Sequence, residues 1–294
     1  MSMHRSRGKY NASGILPEMP VDVDAVVLSN DRLSNDYNVV KLVAPEIATI
    51  SRPGQFVMVR QPRDDAPLLR RPFSVFEILR DGQHHIAGFS LLNKCVGTVT
   101  RALFGLEAGD RLQCLGPLGQ PFSVSAPPSE AWMVAGGVGL APFATLAEEL
   151  RKNNVHTTLF YGGRSDRDLF YAKWFQRLGV RVLLTTEDGS LGESGFITVA
   201  LERELTAMAA PETLMIYTCG PNAMMRAVAA LAHEHRRPTE VSLEMVMGCG
   251  LGGCYSCVVP IKNEQNSTSS QFVRSCLYGP VFAGDRVEWG AIPA

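Results

Sequence analysis

The strongest constraint on the fold of this chain is a segment near its C-terminal end that is rich in cysteine and glycine. Cys249, Cys254 and Cys257 follow the spacing C-x4-C-x2-C, and Cys276 comes later in the sequence. Four thiolates are the usual ligand set of a [2Fe–2S] cluster, and plant-type ferredoxins use this three-cysteine spacing. The intervening glycines let the backbone wrap closely around a small group and turn N–H groups toward negatively charged sulfur.

Two other uses of these cysteines have to be weighed. A structural zinc site with four cysteines usually shows two C-x2-C pairs, whereas here only one pair has that spacing and Cys276 stands alone. Disulfides are the third reading, but the chain has seven cysteines, an odd number, and no secretory signal. The pattern therefore favours an iron–sulfur cluster, with zinc as the open alternative.

The composition sets broad limits on the rest of the chain. At 294 residues and 32.0 kDa the chain has room for two domains and a small third. A hydrophobic content of 46% and a net charge of −1 indicate a globular protein without a polybasic surface for nucleic acid or membranes. No apolar run reaches the length of a membrane-spanning helix. Residues 1–20 lack the apolar core of a signal peptide, so we expect a flexible leader and a cytoplasmic location.

Residues 21–127 show short strand-like runs separated by turn signals. One short helix is expected at about 96–104, and the polar triplet Ser29-Asn30-Asp31 is expected to form a turn. Strands at such spacing predict an antiparallel sandwich or barrel. The expected strands are 23–28, 37–43, 55–59, 71–78 and 85–92, followed by one that starts near residue 111.

Two features of this first half suit a flavin nucleotide. The run Arg70-Arg71-Pro72-Phe73-Ser74 offers a guanidinium, which binds phosphate oxygens in pairs, and a backbone edge for a flat ring. Gly97-Thr98 opens the short helix, where free N–H groups can bind phosphate. Each feature alone is as well explained by a solvated edge strand or an ordinary helix start, so the prediction depends on their occurring together.

Residues 128–239 alternate strands with helices, which predicts a doubly wound parallel α/β sheet. Ligands of such sheets bind beyond the carboxyl ends of the strands. The expected strands are 131–135, 155–161, 180–186, 214–218 and 240–244, and the expected helices are 140–152, 169–178, 195–205 and 222–235.

Glycines stand at several of these strand ends. Gly136, Gly137 and Gly139 do not form G-x-G-x-x-G, yet small residues still allow a pyrophosphate to approach a helix start. Cys219-Gly220-Pro221 closes another strand and is a candidate for the nicotinamide pocket, although most lone cysteines are simply buried. The ends at 161–164 and 186–189 are expected to contact the adenosine part.

The order of these motifs resembles the ferredoxin–NADP reductase superfamily. Arg71-Pro72-Phe73-Ser74, Gly97-Thr98, the run from Gly136 to Pro142 and Cys219-Gly220-Pro221 occur in that family's order. From about Val23 to Trp289 the chain is similar to the electron-transfer subunits of dihydroorotate dehydrogenase B. The runs 243–254 and 273–282, which contain the cysteines, carry this narrower resemblance.

The resemblance implies three domains, which are an FAD-binding antiparallel β-barrel (21–127), an NAD-binding α/β domain (128–239) and a small [2Fe–2S] domain (240–294). It implies that Arg71, Pro72, Phe73 and Ser74 contact FAD, and that Gly97 and Thr98 bind its phosphates. A family Tyr-Arg pair falls on Ser90-Leu91-Leu92, so only backbone contacts to FAD are expected there. The segment from Lys262 to Ser270 lengthens the gap before Cys276 and is interpreted as a surface hairpin loop.

The resemblance also implies a partner and a direction of electron flow. The partner is an FMN-containing catalytic subunit that oxidises dihydroorotate in pyrimidine synthesis, assembled as a heterotetramer with two copies of each subunit. Electrons pass from FMN through the cluster and FAD to NAD, and no proton-transfer residue is demanded of this chain. A flavin is needed because NAD exchanges two electrons and the cluster one.

Two other functions stay open at this point. One is an NAD(P)H reductase that serves an oxygenase, a hydrogenase or a ferredoxin, because such enzymes share the flavin and nucleotide motifs. The other is a non-redox nucleotide-binding protein with a structural four-cysteine zinc site. Metal and sulfide analysis with a visible spectrum distinguishes the zinc-containing protein from the redox functions. Identification of the partner distinguishes a reductase for another acceptor from the dihydroorotate dehydrogenase subunit.

Overall fold

The computed structural model describes residues 19–63, 66–124, 126–208, 213–263 and 270–292. The predicted leader therefore lies outside the described residues except for its last two positions. Among the described helices, none is long and apolar enough to cross a membrane.

The first sheet is antiparallel and curls into a half-barrel, which confirms the predicted β-barrel architecture. Its strand order is β4-β3-β7-β1-β2-β6-β5. Apolar side chains from the inward faces of these strands form a buried cluster against two short helices, α1 (Pro45–Ile50) and α2 (Thr98–Phe104). The strands are β1 (Val21–Arg32), β2 (Tyr37–Val43), β3 (Phe56–Arg60), β4 (Arg71–Ser74), β5 (Ile78–Arg80), β6 (Ile86–Lys94) and β7 (Arg111–Leu118).

Local signals misplace three features of this sheet. The turn predicted at 29–31 is wrong, because β1 continues through it with a bulge and Asn30 donates to the carbonyl of Leu106 at 2.7 Å. The predicted strand at 71–78 is two strands, β4 and β5. Helix α1 was not predicted, although Pro45 sits in its first turn, a position that suits proline.

The second sheet is the predicted parallel nucleotide-type sheet with one antiparallel edge strand. Its order is β11-β10-β9-β8-β12-β13-β16, and only β16 pairs antiparallel. The strands are β8 (Glu130–Gly136), β9 (His156–Gly163), β10 (Arg181–Thr186), β11 (Glu193–Ser194), β12 (Leu214–Cys219), β13 (Thr239–Ser242) and β16 (Val281–Ala283). The helices packed on it are α3 (Phe143–Lys152), α4 (Ala172–Arg177), α5 (Ile197–Ala207) and α6 (Asn222–Glu234).

The C-terminal segment forms a small unit of its own and then returns to the second sheet. Strands β14 (Val258–Lys262) and β15 (Ser270–Arg274) pair as an antiparallel hairpin and lead into the short helix α7 (Ser275–Tyr278). β16 then joins the parallel sheet beside β13. The edge strand of the nucleotide-type sheet therefore comes from the part of the chain that follows the cysteine motif.

One continuous apolar core joins the two sheets. Phe122, which follows the barrel, lies 5.9 Å from the ring of Phe143 on α3 and 5.2 Å from that of Tyr217 on β12. Tyr37 and Phe76 of the barrel are buried in the same cluster. Because each fully buried large apolar side chain is worth roughly 1.5–3 kcal/mol, this shared core favours a fixed arrangement of barrel and parallel sheet.

Candidate functional site

A cleft of ≈ 670 Å³ opens at the carboxyl ends of the parallel strands, where such sheets bind ligands. Its volume suits a small-molecule or cofactor site. Eight predicted residues line it: Gly136, Gly137, Gly220 and Pro221 from the glycine motifs, and Gly162, Gly163, Arg164 and Glu187 from the strand ends expected to contact adenosine. The remaining lining comes from both domains and includes Tyr37, Lys94, Val138, Asp168, Thr185, Gly195, Phe196, Ile197, Thr198, Asn222, Ala223, Met224, Ala227 and Glu244.

The loop after β8 is built so that only glycine fits at two of its positions. Gly137 has φ +53°, a left-handed conformation that favours glycine. A Cβ on Gly139 would collide with the carbonyl oxygen of Cys219. Gly139 and Cys219 are both buried and lie beneath the cleft rather than in its wall. The two predicted nucleotide motifs are therefore in direct contact, although they are about eighty residues apart.

Cys219 and Glu244 stand at the ends of neighbouring strands. Cys219 is only 2% exposed, and burial raises the pKa of its thiol well above the ordinary value. Glu244 lines the cleft with its side chain open to solvent, and desolvation by the surrounding protein raises the pKa of its carboxyl. Glu244 was missed as a site residue. Its position just beyond β13, at the same sheet edge as Cys219, was the available signal.

The stretch predicted to contact FAD forms β4 at the end of the barrel sheet. Pro72 and Ser74 lie opposite Met58 and Phe56 of β3. Arg71 is exposed and, within the described residues, donates only to nearby main-chain carbonyls, at 3.0 and 3.1 Å. Its guanidinium is therefore available for a phosphate. Arg70 differs, because it is paired with Asp22 at 2.9 Å.

The other two predicted flavin stretches are placed differently. Gly97 precedes α2 with open space where a side chain would be, while Thr100 accepts the N–H of Gly97 at 2.8 Å and so caps the helix start. Ser90, Leu91 and Leu92 are buried in β6. The N–H of Ser90 is already bonded to the carbonyl of Glu77 at 3.0 Å. The contacts expected from these stretches stay predictions.

The four cysteines of the C-terminal segment lie in one region. Cys257 and Cys276 share a buried apolar cluster, and the Cys254 thiol lies 3.1 Å from the Ser256 hydroxyl. Hydrogen bonds from Ser256, and then the one with Cys249, lower the pKa of Cys254 to about 6, whereas burial raises the pKa of Cys276 to about 12. Within the described ranges, no group of three or more His, Cys, Asp or Glu side chains is arranged to hold one metal ion.

Positive-φ glycines shape the loop that carries Cys249 and Cys254. Gly250 has φ +72°, and a Cβ there would lie 2.6 Å from Met58 Cγ on β3. Gly252 has φ +80°, and its carbonyl accepts Arg274 Nη1 at 2.8 Å. The loop is therefore folded tightly against both the barrel and the strand that leads to Cys276.

The β14–β15 hairpin returns Cys276 to the other cysteines. Val258 pairs with Arg274 at its open end, next to the cysteines, and the N–H of Ser275 donates to the carbonyl of Cys257 at 2.8 Å. β14 and β15 flank the loop predicted at 262–270, of which residues 264–269 lie outside the described residues. The long gap in sequence brings no separation in space, because β14 starts just after Cys257 and β15 ends just before Cys276.

The cysteine loop lies against the barrel strand next to the predicted flavin stretch. Met58 and Leu118 of the barrel form one buried cluster with Met247, Cys257 and Cys276. Four soft sulfur donors, a glycine-shaped loop and an apolar seat fit a [2Fe–2S] cluster. Such a cluster would lie close to β4, which pairs with β3.

Two family models match the chain. One describes an oxidoreductase NAD-binding domain and covers residues 133–230. The other describes the iron–sulfur cluster binding domain of dihydroorotate dehydrogenase B and covers residues 244–288. These ranges contain the glycine-lined cleft and the cysteine loop respectively.

Full-length relatives agree with these models. The electron transfer subunit of dihydroorotate dehydrogenase B (NAD(+)) from Desulforamulus reducens is 36% identical over 90% of this chain and 98% of the relative. Its counterpart from Listeria monocytogenes is 38% identical over 80% of this chain and 87% of the relative.

A solved structure is similar over nearly the whole fold. It is that of an NADH-dependent reduced ferredoxin–NADP oxidoreductase studied for flavin-based electron bifurcation, with 26% identity, a TM-score of 0.77 and 90% coverage of both chains. The fold, the matched domains and the relatives at 36–38% identity lead to one assignment. The chain belongs to the family of dihydroorotate dehydrogenase B electron transfer subunits.

Proposed function

We propose that this chain is the electron transfer subunit of an NAD-linked dihydroorotate dehydrogenase in pyrimidine synthesis. It passes electrons from an FMN-containing catalytic subunit to NAD. The observation that carries this proposal is the seating of a four-cysteine loop on a reductase-type barrel beside a nucleotide cleft. The relatives named for this activity match over 80–90% of the chain.

The chain's own residues would hold three groups. Cys249, Cys254, Cys257 and Cys276 would hold a [2Fe–2S] cluster, because the glycine-rich loop and the β14–β15 hairpin bring these four thiols to one region. When bound, FAD would exchange hydride with NAD and single electrons with the cluster. FAD would be held by Arg71, Pro72, Phe73, Ser74, Gly97, Thr98 and the backbone of Ser90, Leu91 and Leu92. NAD would be held by Gly136, Gly137, Gly139, Cys219, Gly220 and Pro221.

The parts of the chain would divide this work. The division into 21–127 for FAD, 128–239 for NAD and 240–294 for the cluster is part of the proposal, with β13 and β16 joining the last segment to the nucleotide-type sheet. The partner would carry FMN, in a heterotetramer with two copies of each subunit. A cytoplasmic location is proposed because all seven cysteines are free thiols, which persist in reducing compartments.

A second function has a specific observation in its favour. The similar solved structure is a ferredoxin–NADP oxidoreductase, so a chain with this fold can serve ferredoxin instead of a dihydroorotate-oxidising partner. The match of residues 244–288 to the dihydroorotate dehydrogenase B cluster domain favours the first function. A structural zinc is disfavoured by the cysteine spacing, because four-cysteine zinc sites usually show two C-x2-C pairs and this segment has one.

The test is anaerobic purification of the chain together with the FMN-containing subunit from the same source. We expect one FAD, two irons and two sulfides per chain, and NADH formation when dihydroorotate is added. Zinc with no flavin absorbance would contradict the redox assignment. Full cofactor content with reduction of ferredoxin, and no dihydroorotate oxidation, would support the second function instead.

A further inference from the structure

A single carboxylate bridges the barrel and the nucleotide-type sheet beside the cleft. Asp168 follows β9, and its Oδ1 accepts Tyr37 Oη at 2.9 Å and Lys94 Nζ at 3.1 Å from the barrel. Its Oδ2 accepts the main-chain N–H of Arg164 at 3.2 Å and lies 3.5 Å from Arg164 Nε. One oxygen therefore serves each domain, and we call these four residues the Asp168 bridge.

The two barrel residues of the Asp168 bridge are prepared for this contact by the sheet. Tyr37 and Lys94 lie directly opposite each other on β2 and β6, so both side chains leave the same face. The Lys94 ammonium is 4.7 Å from the Tyr37 ring centroid, a cation–π contact. Only 9% of the Asp168 side chain is exposed. Because a buried carboxylate needs its partners, these contacts fix both domains to it.

The Asp168 bridge also touches the glycine loop of the cleft. A Cβ on Gly137 would lie 3.2 Å from Tyr37 Oη, so the loop backbone rests against the same hydroxyl that donates to Asp168. Tyr161 Oη lies 2.9 Å from the main-chain oxygen of Asp168 and 3.2 Å from that of Gly137. The position of Gly137 relative to the barrel is thus set by Asp168 and its neighbours.

The two ends of the cleft depend on this contact to different degrees. At the end of the cleft beside β10 and β11, the lining residues Glu187, Phe196 and Thr198 all come from the nucleotide-type domain. The other end lies between the glycine loop and the barrel residues Tyr37 and Lys94. A part of the ligand bound at the first end contacts only one domain. A part bound at the second end requires the two domains to be held in a fixed position relative to each other.

We propose that Asp168 is a positioning residue that holds the glycine loop at a fixed distance from the barrel, so that a nicotinamide in the cleft stacks on the flavin. This inference rests on the proposed function, because it assumes FAD on the barrel and NAD in the cleft. Asp168 is part of the cleft lining, but this role is exerted through its contacts with Tyr37, Lys94 and Arg164. Its loss should impair hydride transfer while binding of the adenosine part is retained.

The test uses the full chain with FAD bound and the variants Asp168→Asn, Asp168→Ala and Lys94→Met. The side-chain amide that Asp168→Asn introduces presents one oxygen, so it can serve only one side of the Asp168 bridge. The matched control is Asp166→Asn, an exposed carboxylate two residues earlier that takes no part in the bridge. The readouts are calorimetric binding of ADP-ribose, the nicotinamide–flavin charge-transfer absorbance, and the rate of flavin reduction at saturating NADH.

We expect the Asp168 variants to bind ADP-ribose within about twofold of the parent, to lose the charge-transfer absorbance and to reduce flavin roughly 10- to 100-fold more slowly, the scale of a small misplacement. Lys94→Met should lose less of the flavin reduction rate than the Asp168 variants, and Lys94→Arg should keep most of the parent rate. The double variant Asp168→Ala with Lys94→Met should reduce flavin no more slowly than Asp168→Ala alone. Asp166→Asn should match the parent.

Other outcomes overturn the inference without touching the proposed function. If the Asp168 variants lose ADP-ribose binding and the rate of flavin reduction to the same extent, Asp168 is a local structural residue. If the charge-transfer absorbance and the rate of flavin reduction are both unchanged, Asp168 has no positioning role. If Asp168→Ala fails to fold, Lys94→Met and Lys94→Arg are sufficient to test the inference. Both variants retain Asp168 and its contacts with Tyr37 and Arg164. Failure of the parent chain to reduce its flavin with NADH would instead count against the proposed function.

Discussion

The cysteine loop and the nucleotide cleft are both shaped by glycines, but they are assembled in different ways. Three of the four cysteines of the loop lie within one short run, and a hairpin returns the fourth. The cleft takes its walls from the ends of β8, β9, β10 and β12 and from two barrel residues. The loop is therefore specified mainly by local sequence, and the cleft by the topology of two domains. Substitutions in the loop should affect the cluster alone, whereas substitutions in the cleft should also affect residues of other strands and of the second domain.

The largest expected effect is at a buried thiol. Cys257→Ser should abolish the cluster, because a neutral hydroxyl cannot replace a thiolate ligand. The rate at which NADH reduces a dye that accepts electrons from FAD should stay within about twofold of the parent. That reaction uses only FAD and the cleft. Iron analysis, EPR and the dye assay measure the two properties separately.

The matched control for this change is Cys95→Ser, a half-buried cysteine outside the C-terminal segment. It should keep both the cluster and the dye activity. Loss of FAD from Cys257→Ser with the cluster still present would reverse the division of labour between the two regions.

The next effect is expected at the glycine that the cleft requires. Gly139→Ala would drive a methyl group into the carbonyl of Cys219, so two strand ends must move apart. Overpacking of this kind costs about 1–3 kcal/mol of unfolding free energy. We also expect NAD binding to weaken roughly tenfold or more, because a displaced strand end costs catalysis and binding disproportionately. Denaturant unfolding and NAD titration measure the two losses.

The comparison variant for Gly139→Ala is Gly82→Ala, in a barrel turn where a Cβ would meet nothing within 4 Å. It should be neutral in both measurements. A neutral Gly139→Ala would show that the cleft is less tightly built than its geometry indicates.

A smaller effect separates two glycines of the cysteine loop. Gly250→Ala forces alanine into a left-handed conformation and against Met58, whereas a Cβ on Gly253 would meet nothing within 4 Å. The left-handed region alone costs about 1–2 kcal/mol for a residue with a side chain. Gly250→Ala should therefore retain less iron after gel filtration than Gly253→Ala. The reverse order would indicate that the loop does not rest on the barrel.

The smallest effect is a pH dependence at the Asp168 bridge. Burial opposes the charge of Asp168, but the hydrogen bonds from Lys94 and Tyr37 outweigh it and hold the pKa of its carboxyl below the ordinary value of about 3.9. A lowered folded-state pKa gives stability that is complete above the unfolded-state value and is lost as pH falls through the folded-state value.

The measurement is the difference in unfolding free energy between the parent and Asp168→Asn across pH. We expect it to stay constant between about pH 7 and pH 5 and to shrink below about pH 4. Lys94 and Arg164 are the two cations that face this carboxylate. A difference that grew on acidification would contradict the assigned sign.

The difference between the regions also explains what the sequence could predict. The cysteine spacing and the alternation of strands and helices are local patterns, and both led to the correct fold. Strand β16 was not assigned to the parallel sheet, because nothing local shows that Val281–Ala283 pairs with a strand about forty residues earlier. The continuation of β1 through Ser29-Asn30-Asp31 depends on bonds from Asn30 to α2, which a turn propensity does not contain.

The same limit applies to the site. Gly136, Gly137, Gly220 and Pro221 were found because glycine at a strand end has a local signature. Asp168 was missed because Tyr37, its partner, lies 131 residues away, and only the folded chain brings them together. Residues that join domains are in general invisible to periodicity and propensity, since neither describes contacts between separate sheets.

The most direct test of the account is a rapid-mixing experiment on the complex of this chain with its FMN-containing partner. Dihydroorotate is added under anaerobic conditions with NAD present, and the EPR signal of the cluster and the formation of NADH are followed in parallel. We expect the EPR signal of the cluster to rise before NADH forms in the parent complex. Neither the signal nor NADH should appear with Cys257→Ser. NADH formation at the parent rate in the Cys257→Ser complex would contradict a route through the cysteine loop.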